Sequence, residues 1–410
     1  GGMELMPGYK HTEAGVIPED WESRPLSSIG RFKNGINKGS EAFGHGSPFV
    51  NLMDVFGVNS IKSCDGLGLV KTSDAEQETY DLKLGDVIFI RSSVKPSGVG
   101  LTAVVEADLP KTVYSGFLIR FRDGNALDIA FKKHCFYSEK FRSNLIAAST
   151  VSANTNINQD NLKKLFIALP PTTAEQRAIA QALSDIDALL ATLDQVIAKK
   201  RDLKQATMQQ LLTGKTRLPG FSGEWEVKRL GDICELKMGR TPPRLNPAFW
   251  GEGYVWLSIA DLQSKLVSSS KEQVTEAAAA TMELIPKGTL LMSFKLSIGR
   301  LCFAGCDLFT NEAICSFNSL TANADYLYYA LERVDFSLYG KQAVKGYTLN
   351  KKSLKTVKVT LPTAAEQAAI AKVLSDMDAE LSVLESRRDK TRNIKQAMMQ
   401  ELLTGKTRLV

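Results

Sequence analysis

Histidine and cysteine are scarce in this chain of 410 residues: His11, His45 and His134 are the only histidines, and the six cysteines are scattered. Cys64, Cys135, Cys234, Cys302, Cys306 and Cys315 show no paired spacings and fall far below the density of disulfide-stapled scaffolds. A reduced, cytoplasmic setting is the simplest expectation. No His and Cys cluster has zinc-site spacing, and Cys302 with Cys306 reads as core. No apolar run approaches the roughly 18 residues of a membrane span, and no secretory leader is visible. Charge of one sign is not dominant either, since 51 Lys and Arg against 45 Asp and Glu leave a formal net charge of +6. That excess is compatible with a nucleic-acid partner without requiring one.

Catalytic signatures are also missing. An amino-methyltransferase carries an [NDS]-P-P-[YFW] motif, and Leu169-Pro170-Pro171-Thr172 lacks both its polar and its aromatic member. Gly214-Lys215-Thr216 and Gly405-Lys406-Thr407 mimic the end of a phosphate-binding loop. Gln209 and Gln400 stand where that loop needs its first glycine, so both segments read as helix caps with a basic exit. No nuclease carboxylate signature emerges.

What the chain does have is one segment twice. Pro171 to Leu218 aligns without a gap to Pro362 to Leu409, with roughly 30 of about 48 positions identical. Each copy follows a more divergent block, so the order is variable block, constant helix, variable block, constant helix. Residues 1–158 and 219–350 are the blocks; residues 159–218 and 351–410 carry the helices.

The repeated segment predicts a long helix. Thr172 and Thr173 with Glu175 and Gln176, like Thr363 with Glu366, resemble an N-cap and capping box. Apolar residues then recur in steps of four and three: Ile179, Leu183, Ile186, Leu190, Leu193 and Ile197, matched by Ile370, Leu374, Met377, Leu381 and Leu384. The seam blurs at Lys200, Lys204, Arg388 and Lys395, and Gly214 and Gly405 suit left-handed C-terminal caps. From Ala174 to Leu212 the helix is a rod of roughly 58 Å at about 1.5 Å per residue. Its natural partner is the other copy, and an antiparallel pair would relate the blocks by an approximate two-fold axis. The alternative is that each helix packs only on its own block. Lys204, Gln205 and Gln209, repeated at Lys395, Gln396 and Gln400, suggest matching outward surfaces, and Lys199, Lys200 and Arg201 read as a solvated face.

The blocks are weak copies of each other. Trp21, Glu22, Leu26, Ile29, Lys33 and Gly35 match Trp225, Glu226, Leu230, Ile233, Lys237 and Gly239. LGDVIFI (Leu84 to Ile90) matches KGTLLMS (Lys287 to Ser293), each a buried strand after a glycine turn, and Asn158 with Leu162 matches Asn350 with Leu354. Helical stretches are expected at Asp128 to Ile146 and Asp325 to Ser337. The fold class is α+β: two mixed domains joined by two long helices in an antiparallel coiled coil.

The TAEQ and AAEQ openings, the L-S-D-x-D continuation, the LLTGKTRL ending and the GVIPEDWE and GEWEVKRLGDI starts resemble the specificity subunit of type I restriction-modification enzymes. The resemblance runs from about Gly15 to Val410. It implies a non-catalytic, nucleoid-associated DNA reader in which each block is a target recognition domain for one half of a split sequence and the helices form the spacer. It further implies two docked modification subunits that bind S-adenosylmethionine. Restriction subunits with ATP-driven, Mg-dependent translocase activity are further candidate partners. No cofactor is expected on this chain itself.

Base edges are read by Arg or Lys on guanine and Asn or Gln on adenine, so three loops in each block are candidates. The first holds Lys33, Asn34, Asn37 and Lys38, against Lys237, Arg240, Thr241 and Arg244. The second holds Arg91, Ser92, Lys95 and Ser97, against Lys295, Ser297 and Arg300. The third holds Ser152, Asn154 and Asn156, against Lys345, Tyr347 and Thr348. Asn51 and Asp54 are weaker, because they could simply close a turn. A coiled-coil scaffold with no DNA role and a fused restriction and methylation enzyme are the competing readings.

Overall fold

Each W-E opening folds as a strand: Glu22–Pro25 pairs antiparallel with Phe166–Leu169, and Glu226–Arg229 pairs antiparallel with Lys358–Leu361. The start of each block is thereby joined to the strand that leads into a long helix. The computed structural model describes residues 7–151, 153–343 and 346–409. The chain forms two compact units, Gly1–Asp194 with Ser386–Val410, and Gln195–Glu385. The long helices, Thr173–Leu211 and Ala364–Leu402, each begin in one unit and end in the other.

In the first unit a five-stranded sheet runs Gly30–Asn34, Leu118–Asp123, Val87–Ile90, Thr102–Val105, Ser60–Ile61. A smaller sheet runs Val113–Tyr114, Phe43–Val50, Gly68–Val70. The second unit repeats both orders, with Glu235–Met238, Ile314–Asn318, Leu290–Ser293, Leu301–Ala304 and Leu266–Val267 in the large sheet and Phe309–Thr310, Trp250–Leu257 and Glu272–Val274 in the small one. The two predicted buried strands explain why these stretches read as unbroken apolar runs. Side chains alternate across a strand, so Val87 and Phe89 enter one core while Ile88 and Ile90 enter another. Leu290 and Met292 likewise face one core of the second unit and Leu291 the other.

The helical stretch Asp128 to Ile146 is interrupted. It forms Ile129–Cys135 and Glu139–Ala147, because Ser138 Oγ accepts from the Phe141 amide and starts a new helix. In the second unit Ala324–Glu332 is followed by a separate 3-10 turn at Phe336–Tyr339. Asn158 and Asn350 are N-caps of short helices. Asn51 with Asp54 closes a reciprocally capped turn, as does Ser258 with Asp261.

The opening of each seam is absorbed by a globular core. Ile179 and Leu183 are buried with Leu402 and Leu403 in the first unit, and Ile370 and Leu374 with Leu211 and Leu212 in the second. Packing on the block therefore holds for the first turns of each helix. Beyond them the helices pair antiparallel. In the first unit Asp187 meets Lys395 and Asp194 meets Arg388; in the second Lys200 meets Glu380 and Lys204 meets Asp378. Ile186, Leu190, Met377 and Leu384 are half-buried, while Leu193 and Leu381 are buried. One expectation changes here. Lys199 and Arg201 do lie on a solvated face, Arg201 while reaching Glu385, and half-buried Lys200 reaches Glu380, but Lys204 and Lys395 are spent on Asp378 and Asp187 rather than on an outward surface. A lysine in a blurred heptad still packs its aliphatic stem, and its ammonium finds the facing carboxylate. Gln205, Gln209, Gln396 and Gln400 do remain exposed.

The capping boxes are also revised. Thr172 Oγ1 accepts from the Glu175 amide at 3.1 Å and Thr363 Oγ1 from the Glu366 amide at 3.4 Å, but neither glutamate is turned back to its cap. Glu175 is gripped by the Arg408 guanidinium through Nε and Nη2, and Glu366 by Arg217 in the same way. A bidentate ion pair at a buried carboxylate outcompetes one backbone amide. Gly214 and Gly405 take φ of 69° and 70° and end the helices as expected. The turn after each glycine sets its arginine over an opening tryptophan, Arg408 over Trp21 and Arg217 over Trp225. The neighbouring Gln176 and Gln367 accept backbone amides of Asp128 and Asn323, at the starts of block helices. The near-identity of the repeated segment is thus explained by equivalent docking in the two units.

The L-S-D-x-D continuation has a second task. In the first unit His134 Nε2 lies 3.2 Å from Ser184 Oγ, beside Asp187 and Lys395. In the second, Tyr329 Oη lies 3.2 Å from Ser375 Oγ and donates to Asp378, which Lys204 also meets. Burial pushes His134 down to about 4, with Lys395 and Lys133 lowering it further and Asp187 opposing.

Candidate nucleic-acid interface

In the first unit the sheets bring the three loops together, and in the second they bring the first loop beside Lys295 of the second loop. In the first unit the second and third loops become one three-stranded ribbon, in the order Thr150–Val151, Thr155–Asn156, Ser92–Ser93. Asn156 is in register with Ser92, and Asn156 Nδ2 donates to the Asn154 carbonyl. Lys95 and Ser97 are exposed beyond the ribbon, with Ser97 tied through its carbonyl to Arg142. The first loop arrives at the same place. Arg91 Nη1 donates to the Gly116 carbonyl, and a side chain at Gly116 would collide with Asn37. Lys33 lies over the Tyr80 ring, half-buried Asn34 ends its strand, and Lys38 pairs with Glu76 at 2.6 Å. Ser152 lies outside the described residues.

The second unit uses Glu312 where the first has Gly116. Each residue lies two positions beyond the short strand that pairs with the eight-residue strand of its small sheet. Thr241 Oγ1 donates to the Glu312 carboxylate. That bond, together with the nearby Lys295 and Arg244, holds Glu312 below the usual glutamate range. Lys295 lies over Phe294, Ser297 gives its carbonyl to the Ser293 hydroxyl, and Arg300 Nη1 reaches the Ile259 carbonyl at 3.5 Å. Arg240 donates to the Thr281 carbonyl. Gly346–Thr348, with Tyr347, pairs as a strand with Lys341–Ala343, and Lys345 lies outside the described residues.

Several of the expected DNA-contacting cations already have acidic partners. Lys38 pairs with Glu76, Lys237 with Glu283 and Arg244 with Glu272. Glu283 holds the Lys237 ammonium above its ordinary range, and Lys38 does the converse for Glu76. Sequence reasoning missed these glutamates because they lie 28 to 46 residues from their partners. It also missed the strands FGHGSPFV (Phe43–Val50) and WGEGYVWL (Trp250–Leu257), which share a Φ-G-x-G-x-x-Φ-Φ pattern visible in the chain. Both strands bulge after their first residue, because a side chain at Gly46 or Gly253 would meet a neighbouring strand's carbonyl at 2.5 Å. No cluster of His, Cys, Asp and Glu among the described residues could hold a metal ion, and no helix among them is long and apolar enough to cross a membrane.

Two copies of one family's pattern cover most of this chain: residues 18–199 and 222–391 match the type I restriction modification DNA specificity domain. The chain belongs to this family. A relative from Methanocaldococcus jannaschii, provisionally named the MjaX type I restriction enzyme specificity subunit, is 27% identical over 98% of this chain and 97% of its own. The MjaIX specificity subunit of the same organism is 31% identical over 38% of each chain. Among solved structures, a type I restriction-modification S subunit from M. genitalium shares the fold, with a TM-score of 0.59 and 16% identity over 98% of both chains. The specificity-domain family accounts for the doubled sheets and the two long helices together.

Proposed function

We propose that this chain is the DNA sequence-specificity subunit of a type I restriction-modification enzyme, with each unit reading one half of a bipartite target. The observation that carries this reading is the pairing of duplicated scaffolds with unlike loops. The two units share strand order, capped turns and helix docking, yet present Gly116 in one and Glu312 in the other where two loops meet. A common frame with different loop chemistry suits two half-sites of different sequence.

The long helices act as the spacer, each a continuous 39-residue element. Modification subunits dock on the chain, two per subunit, and bring S-adenosylmethionine. Restriction subunits, where they join, bring ATP-driven translocation with Mg. This chain supplies position and orientation, and the bond-making groups belong to its partners. The reading is tested by sequencing the methylome of a methylation-free host that expresses the chain with its modification subunit, beside the modification subunit alone. A new split motif with methylated adenine in both halves is the expected result. A blank methylome from co-purifying proteins would favour the scaffold reading. Exchanging residues 17–158 for another such block should then change one half of the motif only.

A further inference from the structure

Resting on that DNA-reading function, the geometry assigns Arg244 as a guanine-reading, specificity-determining side chain of the second unit. The two copies differ in the length of one connection. Gly35 and Gly239 are equivalent, each closed in at 2.1 Å from where a Cβ would sit, by the Ser115 carbonyl in one and the Thr310 hydroxyl in the other. Phe43 and Trp250 are also equivalent, each opening the bulged strand of the small sheet. From glycine to aromatic the connection spans eight residues in the first unit and eleven in the second, so the second loop is longer by three. The longer loop contains Pro242, Pro243 and Arg244.

This longer loop is pinned from beneath. Trp250 Nε1 donates to the Pro243 carbonyl and Trp256 Nε1 to the Arg240 carbonyl, each at 3.1 Å. Phe43 and Phe49 occupy those positions in the first unit, and a phenyl ring has no N–H to give. The indole rings stand nearly perpendicular, with centroids 5.0 Å apart, and make a two-walled shelf. The Arg244 guanidinium carbon lies 4.1 Å from one ring centroid and 4.8 Å from the other. Glu272 then takes Nη1 at 2.6 Å.

A long flexible side chain has therefore been fixed before any partner arrives. Arginine elsewhere loses much rotamer freedom when it binds, whereas here most of that loss belongs to folding. About half of the side chain is still exposed, at 49%, and Leu245 beside it is 98% exposed, so the loop tip is open. With Nη1 on Glu272, no described protein group takes the Nε and Nη2 edge. Two parallel N–H donors at fixed spacing match guanine O6 and N7 in the major groove, and no other base offers that acceptor pair. A purely structural staple would need neither the exposure nor the free edge.

The test uses the chain with its modification subunit. The second unit's half-site is the half that survives exchange of residues 17–158. Methylomes of Arg244→Ala and Arg244→Gln should keep the other half-site and lose the requirement for guanine at one position in this one. On duplexes with single base changes, the wild-type preference for that guanine should fall about tenfold to a hundredfold in Arg244→Ala. An unchanged motif in Arg244→Ala would overturn the assignment. A uniform loss of affinity across all sequences in both variants would also overturn it, as the mark of a phosphate contact or a structural staple. Failure of the DNA-reading function itself is distinct, since the wild-type chain would then yield no split motif.

Discussion

Lowering the pH from about 6.5 to about 4 should weaken the first unit by about 3 kcal/mol through His134 alone. The residue is 3% exposed, at the last turn of Ile129–Cys135, where that helix meets the first long helix. Burial favours the neutral imidazole and moves its pKa from 6.5 to about 4, against the pull of Asp187. The folded unit thus binds this proton less readily than the unfolded chain does. The stabilisation is complete above the unfolded value of 6.5, declines as pH falls, and is gone below about 4. About 2.5 units at about 1.36 kcal/mol per unit give the magnitude. His134→Gln removes the titration while keeping a polar group near Ser184, and groups remote from this site contribute equally to both proteins. Trp21 is the one tryptophan of the first unit, since Trp225, Trp250 and Trp256 belong to the second, so its 19F signal after fluorotryptophan labelling follows that unit in urea. The stability difference between wild type and His134→Gln should shift by about 3 kcal/mol against the wild type between pH 7 and pH 4. A difference that stays constant, or an imidazole that titrates by NMR at or above 6.5, would show that burial does not hold His134 neutral in the folded unit.

Four further outcomes follow from the same geometry. Leu374 is fully buried in the second core, so Leu374→Ala should cost about 2 to 5 kcal/mol in urea unfolding of that unit. Gly405→Ala should lower the thermal midpoint of the first unit, because φ is 70° and the new methyl would meet Pro18 at 2.6 Å; a neutral result would mean the turn is pliable. Lys204→Asp should destabilise the helix pair in the second unit, and adding Asp378→Lys should restore part of the loss in a double-mutant cycle; additive effects would show no coupling. Inserting about four residues, one helical turn, into both long helices should lengthen the gap between half-sites in the methylome without altering either half, and an unchanged gap would contradict the spacer role.

Much of this protein was legible as repetition. The helices, their left-handed glycine ends, the buried strands at Val87–Ile90 and Leu290–Ser293, and the paired block openings are local patterns, and backbone geometry enforces them wherever they occur. The loops were legible only in part, since Ser92–Ser93, Thr150–Val151 and Thr155–Asn156 pair as short strands. Their chemistry was less so, because Lys38, Lys237 and Arg244 have partners on other segments, and the two tryptophans under Arg244 act together only once a strand is folded beneath the loop.

The amino-acid order alone determined that there are two copies and that each contributes a long helix. Tertiary structure decided what the identical residues are for. Arg408 closes on Glu175 and Arg217 on Glu366, and Lys395 and Lys204 on Asp187 and Asp378, through contacts made by segments far apart in the chain. Periodicity specifies which face of a helix is apolar, but charge pairing depends on distance in space, and that is fixed only when the elements pack.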